Sequence, residues 1–290
     1  MKKDTSFFGK ELKSILGVLM PFVIYYVCYF VASIALTVIV ITLLQSVFGV
    51  NEVFLTEQEA SINGAVGGLA MLIGVIPLLS VLRKELADAS KMQVRKVEEN
   101  CKSENVMKEV SAYIKIPVTI LLAVSSALAA NILFILLHLT ESSETYKEVA
   151  ANQYGVAFGL GLLLYGVVSP LAEEVVFRGI IFNRMKKEYA VVTAICISSL
   201  MFGLYHGNSV QGIYGFIIGC LIAYTYERFG NFFYAVLFHG AANIAVFTIT
   251  GNAKFYQAIV TPVSYVILTI ISVVLVFCIE KMKKSYQKEI

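Results

Sequence analysis

Apolar runs about as long as a lipid bilayer is thick recur from one end of this chain to the other. A helix that crosses a membrane needs about 20 consecutive, mostly apolar residues. Inside hydrocarbon every backbone N–H and C=O must find its partner within the protein, which leaves helices or closed barrels as the spanning structures. Eight such segments lie near Leu16–Phe48, Ile62–Leu82, Ala112–Leu139, Gly155–Phe182, Ala190–Tyr205, Gln211–Tyr226, Phe232–Ile249 and Pro262–Ile279. The first, third and fourth exceed what a bilayer requires, and the fifth and sixth are short for it. Composition agrees: 58% of the 290 residues are hydrophobic and 15% charged, against about 45–50% and about 25% in a soluble domain. The expected fold is all-α, a polytopic membrane protein of about eight helices in one domain, residues 1–290, with no internal repeat.

The charges between the segments set an orientation. Residues 83–115, between the second and third segments, hold eight lysines and arginines. Further basic residues follow the fourth, sixth and eighth segments, while the alternate connections, such as "NEVFLTEQEAS" and "ESSETYKEVA", are acidic or polar. This is the positive-inside pattern, with both termini expected in the cytoplasm. Residues 83–113 read as a cytoplasmic loop or helix. The basic N-terminus runs into the first apolar segment without a cleavage pattern and reads as a retained span. A net charge of +3 is too small to suggest a nucleic-acid partner. The five cysteines form no CxxC pair and read as small apolar residues in helices.

Against this background "SPLAEEVVFRGII", Ser169 to Ile181, stands out. Each charge at the centre of a spanning helix costs roughly 2.5–3.5 kcal/mol. Glu174 and Arg178 are four residues apart, share a helix face and can pair. Glu173 lies about 100° around the helix and has no evident local partner. It must protonate, find a distant partner or contact water. The competing reading is an interfacial helix end, where these charges are simply wet.

The histidines bear on that choice. Of the three, His138 ends an apolar run at the membrane edge and reads as exposed. His206 closes "MFGLYH". His239 lies within "FFYAVLFHGAANIAVF", with Asn243 on the same helix face. An imidazole and an amide on one face, in a chain with an unpaired intramembrane glutamate, point to a shared site. At about 1.5 Å per residue, Glu173, His239 and Asn243 reach similar depths, about 12–18 Å from the basic side. His206 comes at about 24 Å, so tilt or a break near Gly203 and Gly207 must close the gap.

Glu173-Glu174-x-x-x-Arg178, Phe202-x-x-x-His206 and His239-x-x-x-Asn243, in this order on separate helices, resemble the CPBP family, the CAAX proteases and bacteriocin-processing intramembrane proteases. The resemblance spans about Gly155 to Ile249, and residues 155–250 read as a CAAX-protease-like catalytic core around an intramembrane active-site cavity. It implies that Glu173 is the general base, activating water together with His206. Glu174, Arg178 and Phe202 are supporting residues. His239 and Asn243 steady the oxyanion or complete a metal site. The implied activity is endopeptidase cleavage of a membrane-associated peptide or protein, in a bacterial cell membrane.

The residues also have a chemistry of their own. Peptide hydrolysis needs an activated water and a stabilised oxyanion. GxSxG and HExxH are both absent, and Ser169 has no base patterned beside it, so it reads as incidental. Glu173, His206 and His239 are enough to hold Zn2+ with one position open for water, and the same groups can act without metal. The non-enzyme alternatives are a silent membrane scaffold or bacteriocin self-immunity protein, and an ion-coupled transporter, which the absence of repeated halves disfavours.

Overall fold

The computed structural model describes residues 2–100 and 112–288. Among them there is helix and no strand, as the lipid argument requires. Eight principal helices follow the eight apolar segments. They are α1 (Lys2–Ser46), α2 (Glu59–Val75, a tight 3-10 turn at Ile76–Leu78, then Leu79–Asn100), α3 (Ala112–Leu136), α4 (Phe158–Glu188), α5 (Val191–Tyr205), α6 (Ser209–Phe229), α7 (Phe233–Thr250) and α8 (Pro262–Lys288). Short helices Glu52–Glu57, Glu144–Tyr154 and Ala253–Ile259 cap the polar connections.

Seven of the eight are long and apolar enough to cross a membrane. The exception is α5, whose 15 residues extend about 22 Å, less than a hydrocarbon core of about 30 Å. The basic stretch from Arg83 is no separate element: α2 carries it to Asn100 without a break. The expected loop's residues 101–111 lie outside the described residues.

α4 is the axis of the molecule and packs against α1, α2, α5, α6 and α7. α3 bridges α7 and α8. α1 and α8 keep little of their surface buried, so most of it faces lipid. Two stretches of α4 are wound as π-helix, Leu164–Val168 and Val175–Phe182, on either side of Ser169–Glu174. Such widened turns cluster at functional sites. Glycines set the closest approaches. A Cβ at Gly240 of α7 would come 2.3 Å from the Gly166 carbonyl oxygen of α4, and one at Gly203 of α5 would come 2.4 Å from Gly212 O of α6.

At its basic end α4 is tied to α2. Arg184 and Lys187 both reach the buried Glu85, and Lys187 also reaches Asp88. A cavity of about 200 Å³ opens here, lined by Gly17, Glu85, Arg184 and Lys187 among others. Its charged groups neutralise one another, and it contains none of the residues singled out in "SPLAEEVVFRGII".

Candidate active site

The wet-helix-end reading fails on burial. Glu174 and Arg178 are 0% exposed and Glu173 is 5% exposed. The expected pair forms: Arg178 Nη1 donates to Glu174 Oε1 at 2.9 Å. Arg178 Nη2 donates to Gly219 O of α6 at 2.9 Å, and its guanidinium lies 4.7 Å from the Phe202 ring centroid. The buried charge is therefore held from three helices, as a group with such a desolvation cost must be.

Glu173 does have a local partner. Ser169, one turn earlier, donates its hydroxyl to Glu173 Oε1 at 2.7 Å. This corrects the reading of Ser169 as incidental. The same four-residue spacing that finds Glu174–Arg178 also joins Ser169 to Glu173.

The imidazole in direct approach to Glu173 is that of His239. His239 Nδ1 lies 2.8 Å from Glu174 Oε1, and its Nε2 lies 3.7 Å from Glu173 Oε2. Glu174, already neutralised by Arg178, accepts from His239 Nδ1–H. In the neutral imidazole this leaves the lone pair on Nε2. Two acceptors, a carboxylate oxygen and an imidazole nitrogen, then face each other across 3.7 Å. A single water donating a hydrogen to each satisfies both.

His206 sits at the C-terminal end of α5, its Nδ1 2.9 Å from Phe202 O. A carbonyl only accepts, so Nδ1 carries the hydrogen and Nε2 is the acceptor. His206 and Glu173 make no hydrogen bond or ion pair. Phe202 touches both imidazoles edge-on, with ring centroids 4.8 Å from His206 and 5.4 Å from His239. His206 is thus brought beside the site through Phe202.

Asn243 lies one turn beyond His239 and donates Nδ2–H to Tyr165 O at 3.1 Å. The reason is in the sequence of α4. In the first π stretch Ser169 N–H reaches back five residues to Leu164 O. The next residue, Pro170, has no N–H, so the Tyr165 carbonyl loses its helical donor. Asn243 supplies the replacement, and the second hydrogen of its amide remains available. His138, as expected, is outside the site and pairs with Glu141 at the surface.

The donor set does not fit a zinc ion as it stands. A catalytic zinc takes three protein ligands, and only Glu173 and His239 converge. Among the described residues no three His, Cys, Asp or Glu gather in metal-holding geometry.

Residues 155–245 match the family described as Type II CAAX prenyl endopeptidase Rce1-like. This segment is similar to an Rce1-like domain. It contains all of α4 through the site-bearing part of α7, and every site residue named above. The UPF0177 protein YxdF of Lactococcus lactis subsp. lactis (strain IL1403) is 30% identical over 82 residues, 28% of this chain and 45% of that protein. The chain thus matches less than half of that relative's length. No solved structure matches the chain. α1, α2, α3 and α8 lie outside the Rce1-like segment.

Proposed function

We propose that the protein is an intramembrane endopeptidase of CAAX type, cleaving a membrane-associated peptide or protein by a glutamate-activated water. The observation that carries this reading is the pair of facing acceptors, Glu173 Oε2 and His239 Nε2, 3.7 Å apart in a buried interior. A scaffold needs partners for its charges, and Glu174–Arg178 meets that need. It does not need two acceptors opposed without a donor. A water that gives both its hydrogens to them turns a lone pair outward, toward a carbonyl carbon.

In this reading Glu173 takes a proton from the water as the new C–O bond forms. The oxyanion that develops receives the free amide hydrogen of Asn243. His206 Nε2 accepts from a substrate N–H. Collapse of the tetrahedral species breaks the C–N bond, and the proton held by Glu173 passes to the leaving amine. Ser169 and Glu174 keep the carboxylate and the imidazole from rotating away. No step is routed through zinc. With both termini in the cytoplasm, the basic ends of α4 and α6 put the site within reach of a substrate from that side, which suits the C-terminal region of a lipid-anchored protein or a clipped membrane peptide.

The test is direct. The full chain in detergent is offered three peptides, followed by mass spectrometry of the products. One is farnesylated and ends in a CAAX tetrapeptide, one is its unprenylated counterpart, and one resembles a signal-peptide core. Glu173→Gln and His239→Ala are expected to lower the rate at least about 10³-fold while remaining folded. His206→Ala is expected to lose less. Metal content of the same samples reports on zinc. A folded Glu173→Gln that cleaves at the wild-type rate would refute the reading and favour the scaffold or immunity alternative.

A further inference from the structure

α1 lies outside the Rce1-like segment, yet one of its side chains reaches Tyr205, the neighbour of His206. Tyr25 is 0% exposed. Its hydroxyl lies 3.3 Å from that of Tyr205, the residue preceding His206. The Tyr205 ring packs edge-on to the His206 ring, centroids 5.6 Å apart. One turn along α4 from Glu173, Phe177 packs on Tyr205 at 5.7 Å and on Phe22 of α1 at 6.0 Å. These contacts seat the Tyr25 face of α1 directly against the glutamate-bearing part of α4.

The approach of Tyr25 depends on α2. A Cβ at Gly74 would come 3.1 Å from the Tyr25 ring and 3.2 Å from its carbonyl oxygen. A Cβ at 74 would crowd Tyr25, so α1 and α2, both outside the Rce1-like segment, jointly set the place of the hydroxyl.

Hydrogen counting assigns it a role. Each phenol has one hydrogen. Between two hydroxyls only one hydrogen can lie on the line joining the oxygens, and the other is free. Among the described residues neither hydroxyl has a second hydrogen-bond partner. Tyr25 is sealed in the core, whereas Tyr205 is partly exposed beside the site. The arrangement that uses both hydrogens has Tyr25 donate to Tyr205, and Tyr205 donate into the site.

We propose that Tyr25 is a positioning residue of the active site: by donating to Tyr205 it directs the one Tyr205 hydroxyl hydrogen to the carbonyl oxygen of a substrate bound beside His206. This rests on the endopeptidase reading, and it makes the N-terminal helix part of the catalytic apparatus. A donor so aimed contributes most as charge develops, so its loss lowers turnover more than binding.

The experiment uses the full chain in detergent and whichever of the three peptides the wild type cleaves. Tyr25→Phe keeps the ring and removes only the hydroxyl. It is expected to lower kcat about tenfold, with KM within about twofold and an unchanged unfolding temperature. Tyr205→Phe is expected to lose at least as much, and the double variant no more than Tyr205→Phe alone, because Tyr25 acts through Tyr205. Tyr25→Phe cleaving at the wild-type rate beside an inactive Glu173→Gln overturns this inference alone, as do single losses that multiply in the double variant. A wild type that cleaves none of the peptides, or an active Glu173→Gln, removes the endopeptidase reading and this inference with it.

Discussion

The Glu174–Arg178 pair can be taken apart one charge at a time. Both side chains are 0% exposed, so neither charge can be rehydrated when its partner is lost. Arg178→Met leaves the Glu174 carboxylate with His239 alone. It also removes the bond to Gly219 O and the guanidinium–Phe202 contact at 4.7 Å. Glu174→Gln leaves the guanidinium buried and uncompensated. Breaking a buried pair from one side costs about 3–5 kcal/mol. At about 2–4 °C per kcal/mol for a chain of this class, each single variant should unfold about 6–20 °C lower than wild type. The double variant Glu174→Gln/Arg178→Met removes both charges and fills the space with groups of similar size, and Gln at 174 still offers an oxygen to His239 Nδ1–H. It should lie within about 2 kcal/mol of wild type, more stable than either single variant. Thermal unfolding in detergent, followed by far-UV circular dichroism, measures all four proteins. A double variant destabilised by the sum of the two single losses would refute the idea that these charges are held by each other.

Two further outcomes follow from the same geometry. Ser169→Ala removes the 2.7 Å hydrogen bond to Glu173 Oε1 and should lower kcat about five- to tenfold with unchanged unfolding, whereas Ser169→Thr should retain activity; the peptide cleavage assay checks both. Gly240→Ala places a Cβ 2.3 Å from Gly166 O, which pushes α7 off α4 and draws His239 away from both glutamates. It should cost about 1–3 kcal/mol and most of the activity, while Gly67→Ala, with open space around it, should do neither in the same unfolding and cleavage measurements.

Several features of this protein were set by local sequence rules. Apolar length required helices, because lipid offers no partner to the backbone, and it marked α5 as short before its 15 residues were seen. Four-residue spacing placed Arg178 on Glu174 and Asn243 on the face of His239. The same rule holds the Ser169–Glu173 bond. Pro170 removes a helical donor, but which carbonyl goes without one depends on the π register of α4, and that Asn243 answers it depends on α7.

What tertiary structure alone decided is which side chains meet across helices. Spacing within a helix fixes an angle around one axis and says nothing about which neighbouring axis that angle faces. Hence His239 comes within 3.7 Å of Glu173, and Phe202 touches both imidazoles. Hence also Tyr25 joins Tyr205, 180 positions away in sequence. Those meetings depend on how closely whole helices approach, set by contacts such as Gly240 on Gly166 and Gly74 under Tyr25, and that distance comes from the packing of the bundle, not from any one of its strands of sequence.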